Sequence, residues 1–388
     1  MAVLAQPDAP AAVADRRRNR PDWILASALL ALSGLGMLMI FSATRVSLER
    51  AEIPASFSME RQLIFVATGL LVFSFISLVD YREFRNLAAL IYLGAIVALG
   101  VVFLFAPVNG AQRWIPLSFF KLQPSEFAKL ATVVMVAGVL APTRTEGVSW
   151  ARLARVVALV GIPAVLVYLE PDLGTTAVLV FIAAVMVFSA GARFRQLALL
   201  VAAGGGMLFL ARRLGLLDVY QLDRIKTLLN PEAVDPLDEG FTIIQSKLAI
   251  GSGQLFGKGL FNGTQTNYGY VPEQETDFIF TAVGEQLGFI GGVLVLAAFL
   301  VIAWRLVVIA RASRDRFGAL LAMGVAAWVV FHVFVNVGMT IGIMPVTGIP
   351  LPFLSLGGSS YLAISAGLGV ANSVWLRRSP VPGETYII

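Results

Sequence analysis

Ten separate runs of mostly apolar residues constrain what this chain can fold into more than any motif it carries. They lie at approximately 23–43, 61–79, 87–106, 124–142, 154–169, 174–190, 196–212, 278–309, 319–341 and 359–376. A helix needs roughly 20 apolar residues to cross the hydrocarbon core of a bilayer, and only helices and closed barrels satisfy their backbone groups there. A chain of 388 residues that is 58% hydrophobic and 14% charged has more apolar surface than one or two soluble cores can hide. The runs therefore predict an all-α polytopic membrane protein with about ten transmembrane helices. The fifth and sixth runs are short, and the eighth is long enough to tilt or to project beyond the bilayer.

Basic residues give the orientation. With the N-terminus inside, the arginines at 16–18, 20, 82, 85, 144, 152, 155, 193, 195, 311, 314, 316, 377 and 378 all fall on one side, and the short loops between spans five and six and between nine and ten have none. Positive charge accumulates on the cytoplasmic side, so both termini are expected there. The chain then divides into a disordered cytoplasmic tail at 1–22, transmembrane helices 1–7 over 23–212 and a large extracytoplasmic loop at 213–277. Helices 8–10 follow over 278–376, with a second tail at 377–388. The first tail lacks an apolar core followed by a cleavage site, so it does not read as a signal peptide. There is no cysteine, which excludes disulfides and thiol chemistry. The net charge of +5 flanks the spans, so it is a topology signal and no nucleic-acid partner is expected.

Inside the large loop, Phe241, Ile244 and Leu248 share a helical face that excludes Gln245 and Lys247, the pattern of an interfacial helix. The GSGQLFGKGLFNG that follows is too irregular for a helix. It is not a P-loop either, because the glycine spacing is wrong and no Ser or Thr follows Lys258.

The charged residues within and beside the runs are the candidates for chemistry. Asp277 lies where polar loop becomes apolar helix. As a plain helix-start carboxylate it would offset the helix dipole by about 0.3–1 kcal/mol. Yet Thr281, Gly284, Glu285 and Gly288 continue a polar, small-residue stripe from it. Glu285 facing lipid would cost roughly 2.5–3.5 kcal/mol, so the stripe must face a cavity or partners in the bundle. Glu126 and Lys129 share a face at the start of the fourth span. They read either as an internal ion pair or as groups facing the cavity of Asp277, where Lys129 would bind a pyrophosphate or hold Asp277 ionised. Arg113 and Trp114 precede them, as cation and interfacial aromatic. EPDLGTT adds Glu170 and Asp172, and two acids near a threonine are a weak metal signal. GIMPVTGIPLPFLSLGGSS, with its prolines and glycines, cannot be one helix and reads as a re-entrant or outward-facing loop. The single histidine, His332, falls mid-span and reads as a hydrogen-bonded packing residue.

GAQRWIPL, QPSEFAK, EPDLGT, PEQETDFIFTAVGEQLGFIGG and TGIPLPFLSLGGSS resemble, in order and position, the signatures of the SEDS family of bacterial cell-wall proteins. GTQT, and PEQ leading into TDFIF, are closer to its RodA branch, which serves cell elongation, than to the FtsW branch of division. Glu275 departs from the family pattern. The resemblance implies a peptidoglycan glycosyltransferase in the bacterial cytoplasmic membrane, polymerising lipid II into β-1,4 glycan strands with its active site facing outward. It implies Asp277 as catalytic base, with Arg113, Trp114, Glu126, Lys129 and Asp172 as substrate-binding residues. Lys258, Gln265 and Glu285 are further substrate-binding candidates. The implied partners are a class B penicillin-binding protein, other elongation-complex proteins, lipid II and the glycan on undecaprenyl pyrophosphate. No cofactor is firmly implied; a divalent cation (Mg or Mn) is the candidate. The rival readings are a lipid II flippase, an FtsW-like division polymerase and a non-catalytic scaffold.

Overall fold

In the computed structural model, residues 20–107, 111–117, 120–142, 147–213 and 239–378 are described. Most of both expected tails and residues 214–238 of the large loop lie outside them. Each of the ten runs forms a helix: α1 (Trp23–Arg50), α2 (Phe57–Leu78), then, after the short α3 (Tyr81–Asn86), α4 (Ala88–Val102). Next come a hairpin of β1 (Ile115–Pro116) and β2 (Lys121–Leu122), then α5 (Pro124–Leu140), α6 (Trp150–Leu169), α7 (Leu173–Ser189) and α8 (Phe194–Arg213). The described part of the large loop contributes α9 (Glu239–Ser252) and α10 (Thr264–Tyr268), before α11 (Ile279–Ala312), α12 (Arg316–Thr340) and α13 (Gly358–Leu376). The two strands pair antiparallel, Ile115 with Leu122 and Pro116 with Lys121.

The helix starts follow from local chemistry. Asp22, Asp80, Ser149, Asp172 and Asp315 each accept a backbone N–H of the turn they open, which meets donors that have no partner inside the helix. Pro124 opens α5, where its missing N–H costs nothing. Pro163, inside α6, leaves the Leu159 carbonyl without its helical donor. The Tyr92 hydroxyl of α4 supplies that bond at 2.6 Å.

Among the described residues, five helices are long and apolar enough to cross a membrane: α1, α2, α6, α11 and α12. The shorter α4 and α7 are also apolar. The outer faces carry bare apolar side chains such as Leu71, Phe75, Leu78, Phe289 and Leu300. A water-soluble surface would not tolerate them in such number, and lipid is their solvent. The protein is an integral membrane protein. α13 is buried almost all round, as expected of a central helix, and packs against α2, α5, α11 and α12.

One expectation needs correction. The eighth run is not a continuous helix. α11 is broken at Gly288 (φ 67°, ψ −165°), a backbone region open essentially only to glycine. The break frees backbone groups, and the glycine-rich loop takes them up. Lys258 N and Gly259 N donate to Glu285 O and Gln286 O at 3.0 and 3.1 Å, while Phe289 N and Ile290 N donate to Gln254 O and Leu255 O at 2.8 and 3.2 Å. Such close backbone approach leaves no room for a Cβ at residues 253, 257 or 288.

α9 covers the stretch from which an interfacial helix is expected. It buries Ile243, Ser246 and Ala249 and leaves Phe241, Ile244 and Leu248 outward.

Candidate active site

The connections at one end of the bundle bring four distant loops together. Arg113, just before the hairpin, reaches the α6–α7 connection: Nε donates to Glu170 O at 2.9 Å, and Nη2 donates to Pro171 O. Trp114 beside it is half-buried. Asp172 caps α7 by accepting from Thr175 N at 3.0 Å. Glu170 is fully buried, and neither carboxylate oxygen has a hydrogen-bond partner among the described residues. Burial, and then the charge of Asp172, push its carboxyl up to about 8 against the opposing pull of Arg113. A neutral acid avoids the cost of a desolvated charge. The hairpin is joined to α13, since Gln123 N donates to Ser359 Oγ at 3.0 Å and Ser359 Oγ donates to Lys121 O at 3.2 Å.

Glu126 and Lys129 lie in the first turns of α5, 2% and 1% exposed. Lys129 Nζ donates to Glu126 Oε1 at 2.7 Å and sits 5.4 Å from the centre of the Trp328 ring. His332 completes the cluster, with Nε2 2.9 Å from Trp328 Nε1 and 3.1 Å from Lys129 Nζ, and Nδ1 3.2 Å from Pro350 O. Two donors aimed at Nε2 and an acceptor at Nδ1 fix a neutral ring that carries its proton on Nδ1.

One turn farther along α12, Asn336 Nδ2 donates to Asp277 O at 2.7 Å and to Ile349 O at 2.8 Å. The segment 347–350 is thus held by α12 at two successive carbonyls. Gly174 of α7 packs against Thr347 O and Ile349, where a Cβ would come within 2.9 Å. Asp277 is half-buried and lies one residue before Phe278, the N-cap of α11, whose side chain makes no cap bond. Its Oδ2 lies over Gly348 (φ +70°), 3.3 Å from where a Cβ would stand. A side chain at residue 348 would therefore crowd the carboxylate and strain the backbone. Leu356 N donates to Glu275 O at 2.8 Å, closing the far side. Burial, the foremost cause, raises the Glu275 carboxyl above its ordinary range.

Lys258, Gln265 and Glu285 form a second group. Glu285 is fully buried and ion-paired with Lys258 Nζ at 2.8 Å. Its carboxylate also accepts Gln265 N at 2.8 Å, Thr266 N at 3.0 Å and Thr266 Oγ1 at 2.8 Å.

A family profile described as cell cycle protein, covering FtsW, RodA and SpoVE, matches residues 23–379. The chain belongs to this family. It is similar to stage V sporulation protein E of Bacillus subtilis (strain 168), with 37% identity covering 92% of this chain and 98% of the relative. It is similar to peptidoglycan glycosyltransferase MrdB of Escherichia coli (strain K12), with 36% identity covering 90% and 92%. Among solved structures, it is similar to a chain from a study of how a peptidoglycan synthase complex coordinates polymerization and crosslinking. The TM-score there is 0.75 at 30% identity, covering 92% of this chain and 97% of that one.

The residues singled out in the sequence lie in two groups. Arg113, Trp114, Glu126, Lys129, Asp172 and Asp277 stand on segments that meet at one end of the bundle. Lys129 is engaged by Glu126, His332 and Trp328, the internal-pair arrangement, and Arg113 is spent on backbone carbonyls. Lys258, Gln265 and Glu285 engage one another beside the break in α11. Sequence reasoning missed Asn336 and Gly348, whereas His332 is buried and hydrogen-bonded as expected of a packing residue. A polar side chain inside the ninth apolar run, and a glycine between prolines, were the available signals.

Proposed function

We propose that the chain is a peptidoglycan glycosyltransferase that polymerises lipid II on the outer face of the bacterial cytoplasmic membrane, with Asp277 as base. The observation that carries the assignment of the base is the seat of Asp277. Its backbone carbonyl is clamped by Asn336, and its carboxylate lies over Gly348, at the end where the motif loops meet. Ten transmembrane helices with both termini cytoplasmic would turn this end outward, and α9 would lie with Phe241, Ile244 and Leu248 in the outer leaflet.

In the reaction, the 4-hydroxyl of the GlcNAc of an incoming lipid II attacks the anomeric carbon of the growing glycan. The bond from that carbon to the pyrophosphate oxygen breaks with inversion, giving the β-1,4 linkage and a lipid pyrophosphate. Asp277 takes the hydroxyl proton as the new bond forms. Arg113 lies at the same end and, once released from the carbonyls of Glu170 and Pro171, would meet the departing pyrophosphate. Lys129 has to exchange its present partners before it can meet a phosphate, and until then it holds α5 to α12. Trp114 stands half-buried beside Arg113, and Asp172 holds the start of the helix that Arg113 reaches. Among the described residues no three His, Asp or Glu side chains cluster as a metal-holding group. A divalent cation would therefore draw most of its ligands from pyrophosphate and water, and no step here is routed through it.

The partner is a class B penicillin-binding protein that crosslinks the new strands. Similarity to a chain of a synthase complex joining polymerization and crosslinking supports it. GTQT and PEQ before TDFIF favour an elongation role. Purified protein with its partner, given lipid II, should yield a glycan ladder. Transbilayer movement of lipid II without any polymer would favour the flippase instead.

A further inference from the structure

Glu285 is the fully buried acid of the second group, and its surroundings define a task. Oε1 accepts Lys258 Nζ and Gln265 N, each at 2.8 Å, and Thr264 Oγ1 at 3.3 Å. Oε2 accepts Thr266 N at 3.0 Å and Thr266 Oγ1 at 2.8 Å. A carboxylate offers about four acceptor positions, so these donors fill it and leave none for a sugar hydroxyl. The same Thr266 Oγ1 accepts Gln274 Nε2 at 3.2 Å, and that amide also donates to Thr281 Oγ1 in the first turn of α11 at 2.8 Å. Gln274 is buried and lies inside the turn in which Asp277 N donates to Glu273 O at 3.0 Å. The bonds thus run from Glu285 through Thr266 and Gln274 to the turn that carries Asp277. The neighbouring residue reinforces the hold, since Gln286 Oε1 accepts Phe261 N at 2.9 Å and Ser42 Oγ at 2.8 Å.

We infer that Glu285 is a positioning residue that fixes α10 against the broken helix and, through Thr266 and Gln274, sets the turn presenting Asp277, instead of touching substrate itself. The inference rests on the reading of Asp277 as the base. The break at Gly288 belongs to the same device, because it lets the loop's backbone lie beside Glu285.

The test pairs steady-state polymerisation of lipid II with hydrogen exchange on the full-length protein in lipid nanodiscs. Glu285→Gln should speed exchange of the Gln265 and Thr266 amides by about tenfold or more. The same variant should lower kcat by about tenfold or more while KM for lipid II stays within about twofold. Gln274→Ala should lower kcat to a similar degree with those amides still protected. The double variant should be no worse than Glu285→Gln, because the two act in series. If Glu285→Gln fails to fold, Thr266→Val, which cuts the same route at its midpoint but keeps the backbone bonds to Glu285, should lower kcat as Gln274→Ala does with the Gln265 amide still protected, and an unchanged kcat for it would overturn the inference. A raised KM at unchanged kcat with protection intact would make Glu285 a substrate contact and overturn the inference. Lost protection at unchanged kcat would overturn it as well. Asp277→Ala separates the two claims: full polymerisation by that variant sinks the base assignment, whatever the exchange data show.

Discussion

Replacing Gly288 with alanine tests whether the break in α11 is required. An alanine held at the observed φ and ψ costs about 1–3 kcal/mol. The added Cβ would also collide with Gly257 N and stand 2.6 Å from Leu255 O. Both are backbone atoms that cannot rotate away, and overpacking of this kind adds about 1–3 kcal/mol. If α11 straightens instead, it gives up the four backbone hydrogen bonds to residues 254, 255, 258 and 259, each worth about 0.5–1.5 kcal/mol net. Either route predicts a loss of about 2–6 kcal/mol. Gly138→Ala in α5 is the control: nothing stands within 4 Å of its Cβ, so helix propensity should leave stability unchanged or raise it by up to about 1 kcal/mol. Circular-dichroism melting in detergent should show a lower midpoint for Gly288→Ala alone, with faster exchange of the amides of 258, 259, 289 and 290. Equal midpoints and equal exchange for the two variants would refute the reasoning.

Other consequences are as direct. Glu170 keeps its proton in the folded protein up to about pH 8, whereas the unfolded chain loses it in the ordinary carboxylate range. Stability should therefore fall as pH rises between those values; Glu170→Gln should flatten the melting midpoint over that window and raise it at its upper end. Removing one member of the buried pair, by Lys129→Met or Glu126→Gln, should cost about 3–5 kcal/mol. The double variant should cost clearly less than the sum, as a double-mutant cycle of melting data would show. Asn336→Leu removes the donor shared by Asp277 O and Ile349 O. It should lower polymerisation more than it lowers the melting midpoint, and the reverse order would argue against a role at the site.

The helices were legible because lipid leaves a long apolar run little alternative. The opposing faces of α9 followed from the spacing of Phe241, Ile244 and Leu248. The break at Gly288 was not legible, since a glycine three residues after Glu285 fits a small-residue stripe equally well. Its cause is a second glycine-bearing strand of backbone, residues 253–259, that only the tertiary fold brings alongside. Arg113 reads as a free cation in sequence because its acceptors are main-chain carbonyls more than fifty residues away. The pairing of Lys129 with His332 likewise depends on α5 meeting α12. The motifs named the candidate residues, while their separation into two groups needed the bonds themselves.

The claim that Asp277 is the base is met most directly by the polymerisation rate of Asp277→Asn, which keeps the shape of the side chain and removes its basicity. With its crosslinking partner and lipid II, that variant should lose about 10²-fold or more in kcat while binding both as the unmodified protein does. A glycan ladder formed at the unmodified rate would contradict the account.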